Sequence, residues 1–210
     1  MDFIANTFGS SNEFGNTPTD PFDGKGLDTR CNDSLWHPSG IEGQTVTVFN
    51  IPLQFLLGLL YANLGEWLFH KFILHGLGKN PRSIWAFHWH EHHTVCAENQ
   101  MYDPSYQKIT VSTWNARAKE LMVFFGTLLI HIPLLWYLPA FCLGLYVSLM
   151  LYYVKHRKAH LDPDWARKNL NWHYEHHINP NAGNWCVTWP WFDHLLGTRF
   201  KPDQANNDKA

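Results

Sequence analysis

The stretch Leu121–Val154, LMVFFGTLLIHIPLLWYLPAFCLGLYVSLMLYYV, decides the fold: its 34 residues include no Asp, Glu, Lys or Arg. A single helix of that length would reach about 51 Å, well beyond the ~30 Å hydrocarbon layer of a bilayer. Pro133 and Pro139 stand near its middle. A turn near Leu138–Ala140 therefore divides the run into a helical hairpin of two membrane spans. The soluble alternative, a pair of buried core helices, is weaker, because an uninterrupted apolar stretch this long is rare in a soluble domain of this size.

Upstream lies Val46–Leu64, VTVFNIPLQFLLGLLYANL, 19 residues without a charge. As a helix it covers about 28 Å, one span, and Pro52 near its start is tolerable in a membrane helix. The pattern continues through GEWLFHKFILHG, carrying Glu66, His70 and His75 to the membrane surface before Gly76 and Gly78 end the helix. The expected architecture is all-α, a multi-pass integral-membrane protein of about three spans (one plus the hairpin) under a His-rich helical cap. Residues 46–200 form the membrane-embedded body, and 201–210 a short polar tail.

Residues 1–45 differ in character. They carry seven acidic residues against Lys25 and Arg30, are rich in Gly, Asn, Ser, Thr and Asp, and lack an apolar core. This head reads as extended or disordered, and not as a secretory signal. The net charge of −2 gives no electrostatic case for nucleic acid. Aromatic residues make up 16 %, including 11 Trp, a usage that suits membrane interfaces. Cys31, Cys96, Cys142 and Cys186 form no CxxC pair and point to neither a disulfide framework nor a thiolate metal site.

Of 14 histidines, 11 fall in two windows. The first holds His70, His75, His88, His90, His92 and His93; the second holds His156, His160, His173, His176 and His177. Imidazole is the commonest nitrogen ligand for iron, zinc and copper. In HRKAH, His156 and His160 share a helix face at i, i+4, as do the three histidines of HYEHH at i, i+3 and i+4. HWHEHH offers two pairs, His88 with His92 and His90 with His93. His70 and His75 lie roughly 140° apart on an ideal helix. They need a distorted helix end, or serve different metals. So many histidines exceed the needs of one ion, so two metals are favoured. His37 and His131 are read as ordinary polar residues, although His131 falls at membrane depth, where an ionisable side chain is a functional suspect.

Topology places both windows on one side, since the intervening hairpin crosses twice. Fourteen of the 16 basic residues lie at or after Lys71, on that side, which makes it cytoplasmic by the positive-inside rule.

Taken in order, HKFIL-H (His70 to His75), HWHEHH, HRKAH and HYEHH resemble the boxes of the fatty acid hydroxylase/sterol desaturase superfamily. The tail WFDHLLGTRF (Trp191–Phe200) is similar to that family's D-x-L-F-G-T signature. The resemblance covers about residues 46–200. It implies metal ligation by His70, His75, His88, His92, His93, His156, His160, His173, His176 and His177. The usual second box is H-x2-H-H, and Trp89 breaks it here. His88 is favoured as the ligand because it shares a face with His92, leaving His90 in support. Asp193 and His194 sit in the closing signature as supporting residues, and Glu91, Asn171 and Glu175 lie beside ligands as candidates to orient imidazole N–H groups.

The implied function is a di-iron oxygenase that uses dioxygen and two electrons to hydroxylate or desaturate an unactivated C–H bond of a lipid, such as a fatty acyl chain or sterol. Zinc is an alternative occupant of such a site in isolated protein. No flavin, haem or nicotinamide motif is present, so electrons come from an external donor of the cytochrome b5-like or ferredoxin-like kind. Trp85, Trp89, Trp172, Trp185, Trp189 and Trp191 fall near the cap, as an interface belt or as guides for the chain. Two rival readings remain. One is a carotenoid or isoprenoid hydroxylase of the same superfamily, and the other is a non-enzymatic membrane metal store or transporter. Against the transporter, the ligands cluster beyond the spans. Neither the lipid nor the choice between hydroxylation and desaturation is written in the sequence.

Overall fold

The computed structural model describes residues 41–108 and 113–202, with side chains placed from Asn50 onward. Of the polar head read as residues 1–45, positions 1–40 lie outside the described residues, as does the tail from 203, while 41–45 are helical and open the first helix rather than belonging to an extended head. Every regular element described is helical, as expected. Helix α1 (Ile41–Leu68) contains the run Val46–Leu64 and passes directly into a π-turn, Phe69–Leu74. A second π-turn, His88–His92, leads into the short α2 (His93–Glu98). Helix α3 (Ala116–Ile130) begins at Asn115, whose side chain accepts the Ala118 N–H, and ends at His131. A 3₁₀ turn, Ile132–Trp136, then reverses the chain into α4 (Pro139–Leu161). Helices α5 (Pro163–Asn169), α6 (Asn171–Ile178) and α7 (Trp191–Leu195) complete the cap.

The long apolar run thus reverses, but at 131–138 and not at the expected Leu138–Ala140: Pro133 lies within the 3₁₀ turn, and Pro139 opens α4, where its missing N–H costs nothing. Among the described residues, one stretch, Ala116–Trp136, is long and apolar enough to cross a membrane. Only 11 % of its most apolar window is buried, which is the opposite of a soluble core helix. The second arm of the hairpin falls short of that standard because α4 runs on into KHRKAH, where charge begins at Lys155. Large apolar side chains also face outward on α1 (Ile51, Leu53, Leu57) and α4 (Leu143, Val147, Met150).

Two glycines set how α1 and α4 meet. A Cβ on Gly58 would fall 2.1 Å from the Phe141 carbonyl oxygen, and one on Gly144 would fall 2.1 Å from that of Phe55. The backbones are therefore in direct contact, the small-residue packing that replaces hydrophobic drive inside a membrane. From Gly58 to His70 and from Gly144 to His156 are twelve residues each. Both helices point their C-terminal ends at the same place. Helix α3 runs the other way, beginning beside that place at Glu120 and ending where His131 meets Tyr61 of α1.

The cap has a conventional core. Met101, Ala159, Ala166, Leu170 and Val187 are buried together, and Trp67, Trp185 and Cys186 form a second cluster.

Candidate metal centre

The ten histidines named by the box pattern are all buried. Nine fall into two groups whose ring nitrogens lie within 4.8 Å of one another: His70, His75, His88, His93 and His176 in one, and His92, His156, His160 and His177 in the other. His173 adjoins the second group, its Nε2 lying 3.4 Å from that of His160. Neighbouring residues straddle the two. His92 and His93 belong to different groups, as do His176 and His177, because successive residues of a helix diverge by about 100°.

The π-turns explain the awkward spacing of the first window. In a π-turn the backbone bond spans five residues, and the His75 N–H donates to the His70 carbonyl at 2.9 Å. Residues five apart then share a face, and the His70 and His75 rings lie 4.9 Å apart in the same group. Distortion, and not separate metals, resolves that pair. The same device corrects the expected pairing in HWHEHH. His88 joins His93 in the first group (ring centroids 4.8 Å) while His92 goes to the second, so the i, i+4 argument for His88 does not describe this turn. His88 nonetheless points inward, its Nε2 lying 3.0 Å from that of His70, whereas His90 is exposed with its Nε2 3.0 Å from the Lys79 carbonyl oxygen.

What holds the rings is mostly main chain. Nδ1 of His70 donates to the Trp185 carbonyl (2.6 Å), Nδ1 of His176 to that of Gly183 (2.8 Å) and Nδ1 of His160 to that of Met101 (2.9 Å). Nδ1 of His156 lies 2.6 Å from the Glu120 carboxylate, and Nδ1 of His92 lies 3.7 Å from that of Asp103. The hydrogen bonds of His70, His176, His160 and His156 place the ring hydrogen on Nδ1 and leave the Nε2 lone pair facing inward, the arrangement a metal needs. Burial, aided in several cases by neighbouring imidazoles, keeps His70, His75, His88, His93, His160, His173 and His177 well below the ordinary histidine range. Burial also lowers His176, to about 4. Neutral imidazoles are the ligating form.

These residues fit a metal pair. Nε2 of His75 lies 3.0 Å from that of His93 and 3.1 Å from that of His176, and Nε2 of His156 lies 3.1 Å from that of His160. At a metal–nitrogen length of ~2.1 Å, adjacent ligands lie about 3.0 Å apart in an octahedron and about 3.4 Å in a tetrahedron. Nδ1 of His75, His93 and His173, Nε2 of His92 and both ring nitrogens of His177 are buried without a hydrogen-bond partner in the protein. An unsatisfied buried nitrogen costs about 1–3 kcal/mol, and ligation removes that cost for those that face the metals.

The other candidates lie farther out. Glu91 pairs with Lys119, and Asn171 and Glu175 accept from Arg199; none of these contacts is to an imidazole. His194 is exposed on α7. Asp193, fully buried, accepts the N–H groups of Trp185 and Cys186 at 2.9 Å and the Thr198 hydroxyl at 2.8 Å. It fixes the loop whose carbonyl holds His70. Glu66 was not singled out by sequence. Its buried carboxyl accepts from Val187 N, Thr188 N and Oγ1, and Asn63 Nδ2, and burial pushes it up to about 7. Glu120, Asp103 and Tyr106, whose hydroxyl donates to Glu120, were also missed.

A cavity of about 230 Å³ opens beneath the histidines. His70, His88, His92 and His156 form its polar end, and side chains of α1, α3 and α4 such as Phe124, Leu145 and Leu149 form its walls. Of the six tryptophans near the cap, only Trp185 lines it. Trp89 packs on the His75 ring, and Trp189 and Trp191 stack on each other.

Compared with known proteins, residues 55–198 match the family model described as fatty acid hydroxylase. No curated protein and no solved structure matched.

Proposed function

This chain belongs to the fatty acid hydroxylase family, and from that premise we propose that it is a membrane-bound di-iron oxygenase that hydroxylates or desaturates an unactivated C–H bond of a lipid. One observation carries the reading: two groups of inward-facing imidazole nitrogens close one end of an apolar cavity. His70, His75, His88, His93 and His176 would hold one iron, and His92, His156, His160 and His177 the other, with His173 beside them. When bound, the reduced pair supplies dioxygen activation and the oxidising power to break a C–H bond.

The chain's own residues do the rest. The carbonyls of Trp185, Gly183 and Met101 and the carboxylate of Glu120 fix the tautomer and angle of their imidazoles, and the Asp103 carboxylate stands 3.7 Å from the His92 ring. Phe124, Leu145 and Leu149 exclude water from the cavity and align the chain. Tyr106 and Glu120, hydrogen-bonded at the cavity wall, can hold a proton next to His156. Electrons arrive from an external donor of the cytochrome b5-like or ferredoxin-like kind. We further propose that α1, α3 and α4 are three spans, with the metal centre in the cytoplasm. The outward apolar faces of these helices and the 14 basic residues at or after Lys71 support that orientation.

The test is turnover by iron-loaded protein supplied with a reductant and a lipid extract. A product that has gained one oxygen atom or lost two hydrogens, absent when His176 is replaced by Ala, is expected. Iron-loaded protein that consumes no oxygen with any reductant would overturn the proposal.

A further inference from the structure

The end of the cavity remote from the histidines is not apolar. Tyr61 of α1, Thr127 of α3 and His131, at the end of α3, line it. The Tyr61 hydroxyl lies 3.2 Å from His131 Nε2, and His131 Nδ1 lies 2.7 Å from the Thr127 carbonyl oxygen. A carbonyl only accepts, so Nδ1 carries the ring hydrogen and Nε2 is the acceptor. The Tyr61 O–H therefore donates to His131, and the lone pairs left on the phenolic oxygen accept. A donor presented from the cavity meets an acceptor there, and an acceptor meets nothing.

Position adds a length. Tyr61 precedes His70 by nine residues on α1 and its π-turn, and His131 follows Glu120 by eleven along α3. At 1.5 Å per residue these are about 14 and 16 Å. The polar pair thus stands on the order of 15 Å from the metal face, at membrane depth, where polar side chains are costly and mark function. Tyr61 is 49 % exposed, so the pair stands where the cavity lining meets the outer surface of α1.

We propose that Tyr61, held by His131, receives a hydroxyl group of the substrate, which makes the substrate an amphiphilic lipid whose hydroxyl lies about 15 Å from the oxidised carbon. This rests on the oxygenase reading for which end is oxidised, but the binding preference itself needs neither metal nor turnover.

The experiment compares retention of labelled 1-dodecanol and dodecyl methyl ether by full-length protein in lipid nanodiscs, against empty discs. The alcohol donates; the ether only accepts. Wild-type protein should hold the alcohol about tenfold more tightly, the worth of one net hydrogen bond. Replacing both acceptors, Tyr61→Phe with His131→Leu, should bring the two within twofold while leaving metal content unchanged. His131→Leu frees the Tyr61 hydroxyl to donate, and ether retention should rise towards that of the alcohol. Equal retention by the wild type, or a preference that survives the Tyr61→Phe/His131→Leu double replacement, would overturn the assignment. Either result would leave the oxygenase assay above unaffected, and a failed oxygenase assay would leave this preference readable.

Discussion

Acidifying the metal-free protein should unfold its cap within a narrow interval just below neutrality. Eight buried histidines (His70, His75, His88, His93, His160, His173, His176 and His177) have pKa values lowered from the ordinary 6.5. In the unfolded chain these groups take up protons as the pH falls through about 6.5; in the folded cap they do not, since even His176 titrates only near 4. Their contribution is complete above 6.5 and is lost progressively towards the folded values. Between about pH 7 and 5.5 each such histidine forfeits on the order of 1 kcal/mol, so the eight together forfeit several kcal/mol. A domain's entire stability is about 5–15 kcal/mol. Near-ultraviolet circular dichroism of metal-free protein in detergent should therefore collapse cooperatively between about pH 6.5 and 5.5. Metal-loaded protein should persist to lower pH, because bound metal excludes protons from the same nitrogens. A metal-free cap whose signal is unchanged at pH 5 would refute the reasoning.

Glu120→Gln removes the carboxylate from His156 and should weaken metal retention about 10–100-fold, read as metal per chain under dialysis against a chelator. Gly183→Ala should lower the unfolding temperature by several degrees: Gly183 has φ +143°, and a Cβ there would lie 2.2 Å from the Thr198 carbonyl oxygen. His88→Ala should reduce the bound metal, whereas His90→Ala should leave it unchanged by elemental analysis.

The histidine boxes were legible because helical spacing is a local property. His156 and His160 meet as i, i+4 predicts, with ring centroids 4.6 Å apart. The π-turns were not legible, because one extra residue per turn has no local sequence cost that marks it. His70–His75 looked like a misfit until the turn was seen, and His88 was assigned a face with the wrong neighbour. Nor could spacing reveal that Trp185, Gly183 and Met101 hold the rings, since any residue supplies a carbonyl. Met101 does so from a left-handed backbone, φ 75°, which only the folded cap enforces. Glu120 was hidden differently: it stands one residue before a long apolar run, 36 positions from the His156 it serves. Asp193 was visible through its motif, but its partners are loop N–H groups and not a metal ligand.

The close backbone approach of α1 and α4, Gly58 against Phe141 and Gly144 against Phe55, acts as a pivot with two equal arms. Twelve residues of helix beyond it amount to about 18 Å, with His70 at the end of one arm and His156 at the end of the other. A catalytic constellation tolerates about 0.5 Å of misplacement, which at that radius is an angle of about 2°. Bilayers of different thickness tilt their helices by more than this. Any change in the angle at which α1 crosses α4 is thus magnified into the separation of His70 from His156.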